Sequence, residues 1–234
     1  MADGLDRARD VASTLRTETL NWYWHLEKLG ADQVLLGRVA NLENSLTAAT
    51  HLLADVMDGA AKDFGMIRDP GFDWQAAAQA DLDGRSASSH MSVALKAWLF
   101  ELRAIHDALG NLLSSLITDT PNTRSMEKRH NRNDAVAVRI VSSFPEYRPW
   151  FQSVRDLRNR LKEGNRSLAT VFDATTGAQS IALQAFTPAG RFRMTEMETI
   201  PVDTFFLEGL AMTRALMALV VQAARDVNPM STGA

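Results

Sequence analysis

The chain has 234 residues, of which 46% are apolar and 23% charged, and its formal net charge at pH 7 is −3. This composition is that of an ordinary globular protein and excludes a wholly disordered chain. The sequence contains no cysteine, which excludes disulfides and thiolate zinc sites and is typical of a reducing compartment. There is no secretory signal pattern, and the longest apolar run, Ala215 to Val221, is too short to span a bilayer. We therefore expect a cytoplasmic protein with no membrane partner.

Two long stretches carry the same helical period. In each, apolar residues follow one another in alternating steps of four and three, which is the seam of a left-handed helix pair. The first series is Leu35, Val39, Leu42, Leu46, Ala49, Leu53, Val56 and Ala60, and the second is Met91, Leu95, Trp98, Leu102, Ile105, Leu109, Leu112 and Leu116. The pattern predicts two long helices, about 31–64 and 86–117, that lie antiparallel and share a core.

The remaining segments are shorter. Polar, unpatterned residues 118–133 are typical of a mobile loop, and Pro145 separates two further helices. The second of these is predicted to face inward with Trp150, Val154, Leu157 and Leu161. Alternating β-prone runs with Gly-containing turns predict an antiparallel β-meander over about 168–200.

These elements together predict a mainly α fold. We expect an up-and-down helical bundle with a small antiparallel β-meander inserted before the C-terminal helix. The expected organisation is a single helical domain over residues 1–227, followed by a frayed tail at 228–234.

The histidines do not form a metal-binding pattern. The best-spaced pair, His51 and Asp55, is predicted to point outward, away from the partner helix, whereas a ligand within a bundle should point inward. His106 flanks the seam near Arg103 and Asp107, where a histidine bonded to a neighbour is the simplest interpretation. We expect no metal and no cofactor.

Basic residues concentrate in one part of the chain. Residues 121–170 hold 11 Lys and Arg against 5 Asp and Glu, although the whole chain is acidic. An anionic partner would meet this region, and a solvated basic face is the equal alternative.

The strongest local signal lies in the helix after Pro145. Three cations and one amide share a flank there, and the predicted binding residues are Arg155, Arg158, Asn159, Lys162 and Arg166. Arginine offers a planar donor fork that suits phosphates, and asparagine supplies both a donor and an acceptor. The alternative is that these cations only complement the C-terminal end of the helix dipole.

The stretch Arg158-Asn159-Arg160-Leu161-Lys162-Glu163-Gly164, on a late helix of an α-bundle, resembles the HEPN superfamily of nucleotide-binding domains. That family typically carries an Arg-Asn-x-x-x-His motif, and many members are dimeric, metal-independent ribonucleases, while others are non-catalytic binding or antitoxin partners. Here Glu163 occupies the position of the motif's histidine. The resemblance therefore implies that Arg158 and Asn159 correspond to the family's residues and that the general acid/base does not.

The leading hypothesis is a non-enzymatic or catalytically degenerate HEPN-like module of toxin-antitoxin or defence type. It would be a homodimer that serves protein interaction or regulation and binds RNA or a nucleotide through the basic helix. The first alternative is an active metal-independent endoribonuclease that uses Arg158, Asn159 and Glu163, with His106 brought in from elsewhere in the fold. The second alternative is a purely structural helical scaffold.

Overall fold

In a computed structural model of the chain, the described residues are 2–28, 33–67, 71, 73, 75–76, 79, 87–162, 166–172, 179–185 and 198–227. Within them lie seven helices: α1 (Ala2–Lys28), α2 (Gln33–Ile67), α3 (Ala87–Ile117), α4 (Met126–Arg132), α5 (Ala135–Ser143), α6 (Tyr147–Lys162) and α7 (Val202–Val227). The prediction of a mainly helical fold is confirmed.

Three strands lie between α6 and α7. They are β1 (Arg166–Phe172), β2 (Gln179–Ala185) and β3 (Glu198–Pro201), and β2 pairs antiparallel with both neighbours. In this register Ile181 lies opposite Thr170 on one side and Ile200 on the other. Residues 173–178 and 186–197 of the predicted insert are outside the described residues. The finer prediction, an up-and-down bundle with an inserted meander, stays a prediction.

The chain divides into two compact units. The first comprises residues 1–11, 49–100 and 154–208, and the second comprises 12–48, 101–153 and 209–234. This division does not test the predicted single domain over 1–227, which stays a prediction.

The core of the second unit is made by the predicted seams. Leu42 and Leu46 of α2 are fully buried, as are Ile105 and Leu109 of α3 and Leu210 of α7. Steps of four and three keep these side chains on one side of each helix, so each helix buries one continuous stripe.

The first unit has its own core around a large aromatic pair. The ring centroids of Trp98 and Phe206 lie 4.9 Å apart in a tilted arrangement, and both side chains are buried. Leu53 and Leu95, which belong to the predicted seams, are also fully buried. Aromatic contacts of this kind add to the large area that such rings remove from water.

Helix α7 is apolar over its length. By length and composition alone it is the one described helix that could cross a membrane, with a mean hydropathy of 1.6 over the relevant window, half of which is buried within the fold. A core helix passes the same test, and α7 supplies buried residues to both units. The predicted cytoplasmic location stays a prediction.

The prediction of a mobile loop over residues 118–133 is wrong, because α4 lies within it. Ser125 caps the helix by accepting a hydrogen bond from the Lys128 amide, and Asn133 ends it in the left-handed conformation at a φ of 49°. Asp134 then caps α5 by accepting from the Ala137 amide at 3.1 Å. Short polar caps, rather than an apolar period, determine where these helices begin and end.

A buried arginine anchors this corner. The side chain of Arg129 is fully buried. Its Nη2 donates to the Asn111 side-chain oxygen at 2.8 Å and to the Asn122 carbonyl at 2.9 Å, while its Nη1 contacts Asp134 at 3.1 Å. One guanidinium thus ties α3, the 118–125 segment and the cap of α5 together.

We expect Arg129→Met to lower the free energy of unfolding by about 3 to 5 kcal/mol, because it leaves Asp134 and the two oxygen acceptors without their buried donor. Urea unfolding followed by circular dichroism measures this loss. Arg132→Met, three residues further along α4 at an exposed position, is the matched control. A loss no larger than that of the control would contradict a structural role for the Arg129 network.

Candidate functional site

The four helix residues of the predicted binding face all lie on α6. We call Arg155, Arg158, Asn159 and Lys162 the α6 basic face. Side chains three and four residues apart are neighbours on a helix surface, so these four form one stripe. The first three are half-buried and Lys162 is exposed. The stripe is therefore set partly back from the surface.

The half-burial of Arg158 follows from the rotation of α6. Tyr147 and Phe151 are buried, and Arg158 comes eleven residues after Tyr147, which is about three full helical turns. Arg158 therefore points to the same side of the helix as the buried aromatic residues of its first turns. A single stripe of α6 is aromatic and buried at its start and basic and half-buried further on.

Arg158 stacks on an aromatic ring. Its guanidinium carbon lies 4.9 Å from the ring centroid of Phe100 on α3, and Phe100 is 48% exposed. This distance is within the range of cation–π attraction, which holds the guanidinium plane in place. Sequence reasoning missed Phe100. The only signal was a large aromatic residue that lies off the α3 seam.

An acidic neighbour reduces the charge of the α6 basic face. Arg155 Nε lies 3.5 Å from an Asp156 carboxylate oxygen, and both side chains are partly exposed. The α6 basic face carries three cations, Arg155, Arg158 and Lys162, beside this carboxylate.

Two predicted site residues are described less fully. Glu163 lies outside the described residues. Arg166 is the first residue of β1, and its backbone pairs with that of Ala185. The structure therefore does not test whether either side chain joins the α6 basic face.

Comparison of the chain with models of known protein families, with curated proteins and with solved structures finds no match in any of the three. The resemblance to the HEPN superfamily therefore stays a prediction that rests on the residues from Arg158 to Gly164.

A second polar arrangement lies buried in the second unit. His106 is fully buried, with Nδ1 2.7 Å from the Tyr147 hydroxyl and Nε2 3.1 Å from the Thr213 hydroxyl. The Thr213 hydroxyl donates its only proton to the Gly209 carbonyl at 2.8 Å. Thr213 must then accept from Nε2–H, so Nδ1 is unprotonated and accepts from Tyr147. We call this directed series of hydrogen bonds the His106 relay.

The His106 relay requires a neutral imidazole. Burial lowers the pKa of His106 to about 3 and raises the pKa of Tyr147 well above its ordinary value. Both ring nitrogens already have partners inside the fold. This arrangement argues against His106 as the general acid or base of a ribonuclease and favours the simpler interpretation of a histidine bonded to its neighbours.

The other histidines differ in burial. His51 and Asp55 are both exposed, whereas His130 is buried, and its ring lies 5.6 Å from Tyr147 and 5.7 Å from Phe151. Burial, together with the nearby Arg148, lowers the pKa of His130. Among the described residues, no group of three or more histidine or acidic side chains is placed to hold a metal.

We expect the protein to lose stability as the pH falls from about 6.5, where an unfolded histidine titrates, toward about 3, where folded His106 does. The unfolded chain takes up a proton that the folded chain excludes, so the free energy of unfolding decreases as the pH falls. This contribution of His106 to the pH dependence vanishes above neutral pH. At pH 4 His106 alone should account for about 3 kcal/mol relative to pH 7. Urea unfolding at both pH values measures the change.

His106→Gln should flatten this pH dependence, whereas His51→Gln, at an exposed position, should leave it as in the wild type. If His106→Gln does not fold, ¹⁵N NMR of the wild-type imidazole gives the same answer. The relay requires the Nε2–H tautomer and no titration of His106 between pH 5 and 8. The relay would be contradicted if the free energy of unfolding of His106→Gln depended on pH as in the wild type. It would also be contradicted if the imidazole of His106 titrated near pH 6.5.

Proposed function

We propose that the chain is a catalytically degenerate HEPN-like helical module that binds RNA or a nucleotide through the α6 basic face and serves interaction or regulation rather than cleavage. The observation that supports this proposal most directly is the stacking of Arg158 on the half-exposed ring of Phe100. The guanidinium lies over the Phe100 ring, and 48% of the Phe100 surface is still exposed.

Such a pair suits a single-stranded nucleic acid. Bases stack on aromatic rings and on guanidinium planes, while cations beside them follow the phosphates. Asn159 neighbours Arg158 on the same stripe and offers a donor and an acceptor to a base edge. Arg155 and Lys162 extend the positive charge along the helix on either side.

The proposal that the module binds without cutting rests on the two candidate proton carriers, Glu163 and His106. In the motif that the chain resembles, Glu163 replaces histidine, and a carboxylate beside several phosphates repels the substrate. His106, the remaining candidate of the ribonuclease alternative, is neutral and bonded on both sides. The scaffold alternative is favoured by one observation, the contact between Arg155 and Asp156.

We also propose a homodimer, with no membrane partner and a cytoplasmic location. Val93 and Phe100 are seven residues apart on α3, so they share a face, and they are 65% and 48% exposed. We propose that the second copy packs on this face at Val93 and leaves the Phe100 ring open to the ligand, so that the interface lies beside Arg158. Light scattering after gel filtration measures the mass, and a monomer at every concentration would remove the dimer from the proposal.

The strands between α6 and α7 belong to the same proposal. We propose that β1, β2 and β3 form a meander inserted into an up-and-down bundle, because the central strand β2 pairs with both others. Slow amide exchange in β2, slower than in β1 and β3, would support the insert.

We expect Arg158→Ala to weaken binding of a 20-nucleotide single-stranded RNA by about 5- to 20-fold and to lower the salt slope of log affinity by about one. Phe100→Ala should weaken binding by a similar factor, because a stacked base contributes about 1 to 3 kcal/mol. Filter binding between 50 and 200 mM salt measures both effects. Arg214→Ala, at an exposed position on α7, is the matched control.

Each outcome separates the three functions. Equal affinities of wild type, Arg158→Ala and Arg214→Ala would remove the α6 basic face as the site. If the wild-type protein bound neither RNA nor ATP at low salt, the structural scaffold would be the remaining function. Cleavage of the RNA, with and without chelator, would replace the proposal by the ribonuclease alternative.

A further inference from the structure

An apolar cavity of about 320 Å³ lies within the second unit, between α1, α2, α3 and α7. Eleven described residues line it, and nine of them are apolar. Buried Val39, Leu112 and Val220 form its inner wall, and half-buried Trp22 and Leu26 of α1 form one side. An apolar cavity of about 150 Å³ already accepts benzene, and ligand pockets begin at about 300 Å³. The space is sufficient for a small molecule.

The two polar residues described in the lining both carry hydrogen-bond donors. They are His25 and Arg225, both exposed, so they lie toward the mouth of the cavity. Among the described residues Arg225 forms no ion pair, and the adjacent Asp226 contacts Arg139 at 3.5 Å and accepts from Gln222 at 2.8 Å. None of the described residues that line the cavity is a carboxylate. The cavity thus combines an apolar interior with hydrogen-bond donors and a positive charge at its mouth.

We propose that this cavity binds an amphiphilic anion, an aliphatic chain that ends in a carboxylate. The aliphatic chain of the ligand occupies the interior, and its carboxylate accepts hydrogen bonds from Arg225 and His25 at the mouth. Buried apolar surface supplies most of the affinity, and the guanidinium determines the sign of the charge that is accepted. A cationic or zwitterionic amphiphile would meet the same walls but an unfavourable charge.

The volume of the cavity limits the length of the ligand's aliphatic chain. A methylene group is close in size to a water molecule, which occupies about 30 Å³, so the cavity holds roughly ten such groups. A carboxylate of eight to ten carbons therefore fills it. Each methylene that enters should strengthen binding about four-fold, and the gain should stop once the cavity is full.

Isothermal titration of the 234-residue chain with hexanoate, octanoate, decanoate and tetradecanoate tests the proposal. Affinity should rise steeply from hexanoate to decanoate and no further at tetradecanoate, and decanol should bind more weakly than decanoate. Failure of decanoate to bind, or an affinity that does not depend on chain length, would overturn the proposal.

Two pairs of variants on α7 locate the site. Ala224→Phe fills the cavity and should weaken decanoate at least ten-fold, whereas Ala218→Phe, at an exposed position, should not. Arg225→Gln should weaken decanoate about two- to five-fold and leave decanol unchanged, as expected for a partly solvated ion pair. Exposed Arg214→Gln is its control. Decanoate that binds Arg225→Gln and wild type equally would remove the proposed charge recognition.

A second measurement does not require Ala224→Phe to fold. Bromine quenches tryptophan fluorescence only near contact, so decanoate brominated at its last carbon should quench Trp22, which lines the cavity. Quenching should disappear in Trp22→Phe and persist in Trp24→Phe, which alters a neighbouring side chain that is 57% exposed. The reverse result, or quenching equal in both variants, would place the ligand outside the cavity.

Discussion

The buried imidazole of His106 fixes how α6 is rotated about its axis. Tyr147 can donate to Nδ1 only if the first turn of α6 faces inward, and a helix transmits that rotation to every later turn. Phe151 therefore stacks on Tyr147 at 5.9 Å between ring centroids, and Arg158 is directed to the same side two turns later. The hydrogen bond between His106 and Tyr147 thus determines which side of α6 carries Tyr147 and Phe151.

The directionality of the His106 relay makes this constraint strict. Each group in the series has one proton to give, and each gives it to the next, from Tyr147 through His106 and Thr213 to the Gly209 carbonyl. A buried polar group without its hydrogen-bond partner lowers the free energy of unfolding by about 1 to 3 kcal/mol. Because three helices contribute, none of them can rotate within the second unit without leaving one such group unpaired.

Arg129 solves a different problem in the same unit. Residues 118–125 have no apolar stripe to bury, so hydrogen bonds rather than packing must order them. Arg129 accomplishes this by donating to the Asn122 carbonyl, while the Arg124 amide donates to the side chain of Asn111 at 2.9 Å. A polar segment can therefore be as ordered as a helix when a buried cation organises its carbonyls.

The sequence reveals those parts of the fold that repeat along the chain and conceals those that depend on a single contact. Steps of four and three predict α2 and α3 because many residues carry the pattern. The loop prediction for 118–133 failed because α4 depends on the Ser125 cap and on the partners of Arg129, and a partner distant in sequence has no local signature. For the same reason the set Arg155, Arg158, Asn159 and Lys162 could be selected from its spacing, but Phe100 could not.

The position of Arg158 also bears on the choice between a binding face and a scaffold. It occupies a point on α6 where the preceding turns carry Tyr147 and Phe151, so an apolar side chain would pack there in the ordinary way. Partly burying a guanidinium costs desolvation, and replacing buried charges by apolar residues is often neutral or stabilising. Stacking on a half-exposed ring returns about 0.5 to 2 kcal/mol of this cost. In the proposed function, an anionic ligand that reaches the exposed part of Phe100 is the further reason for an arginine at this point.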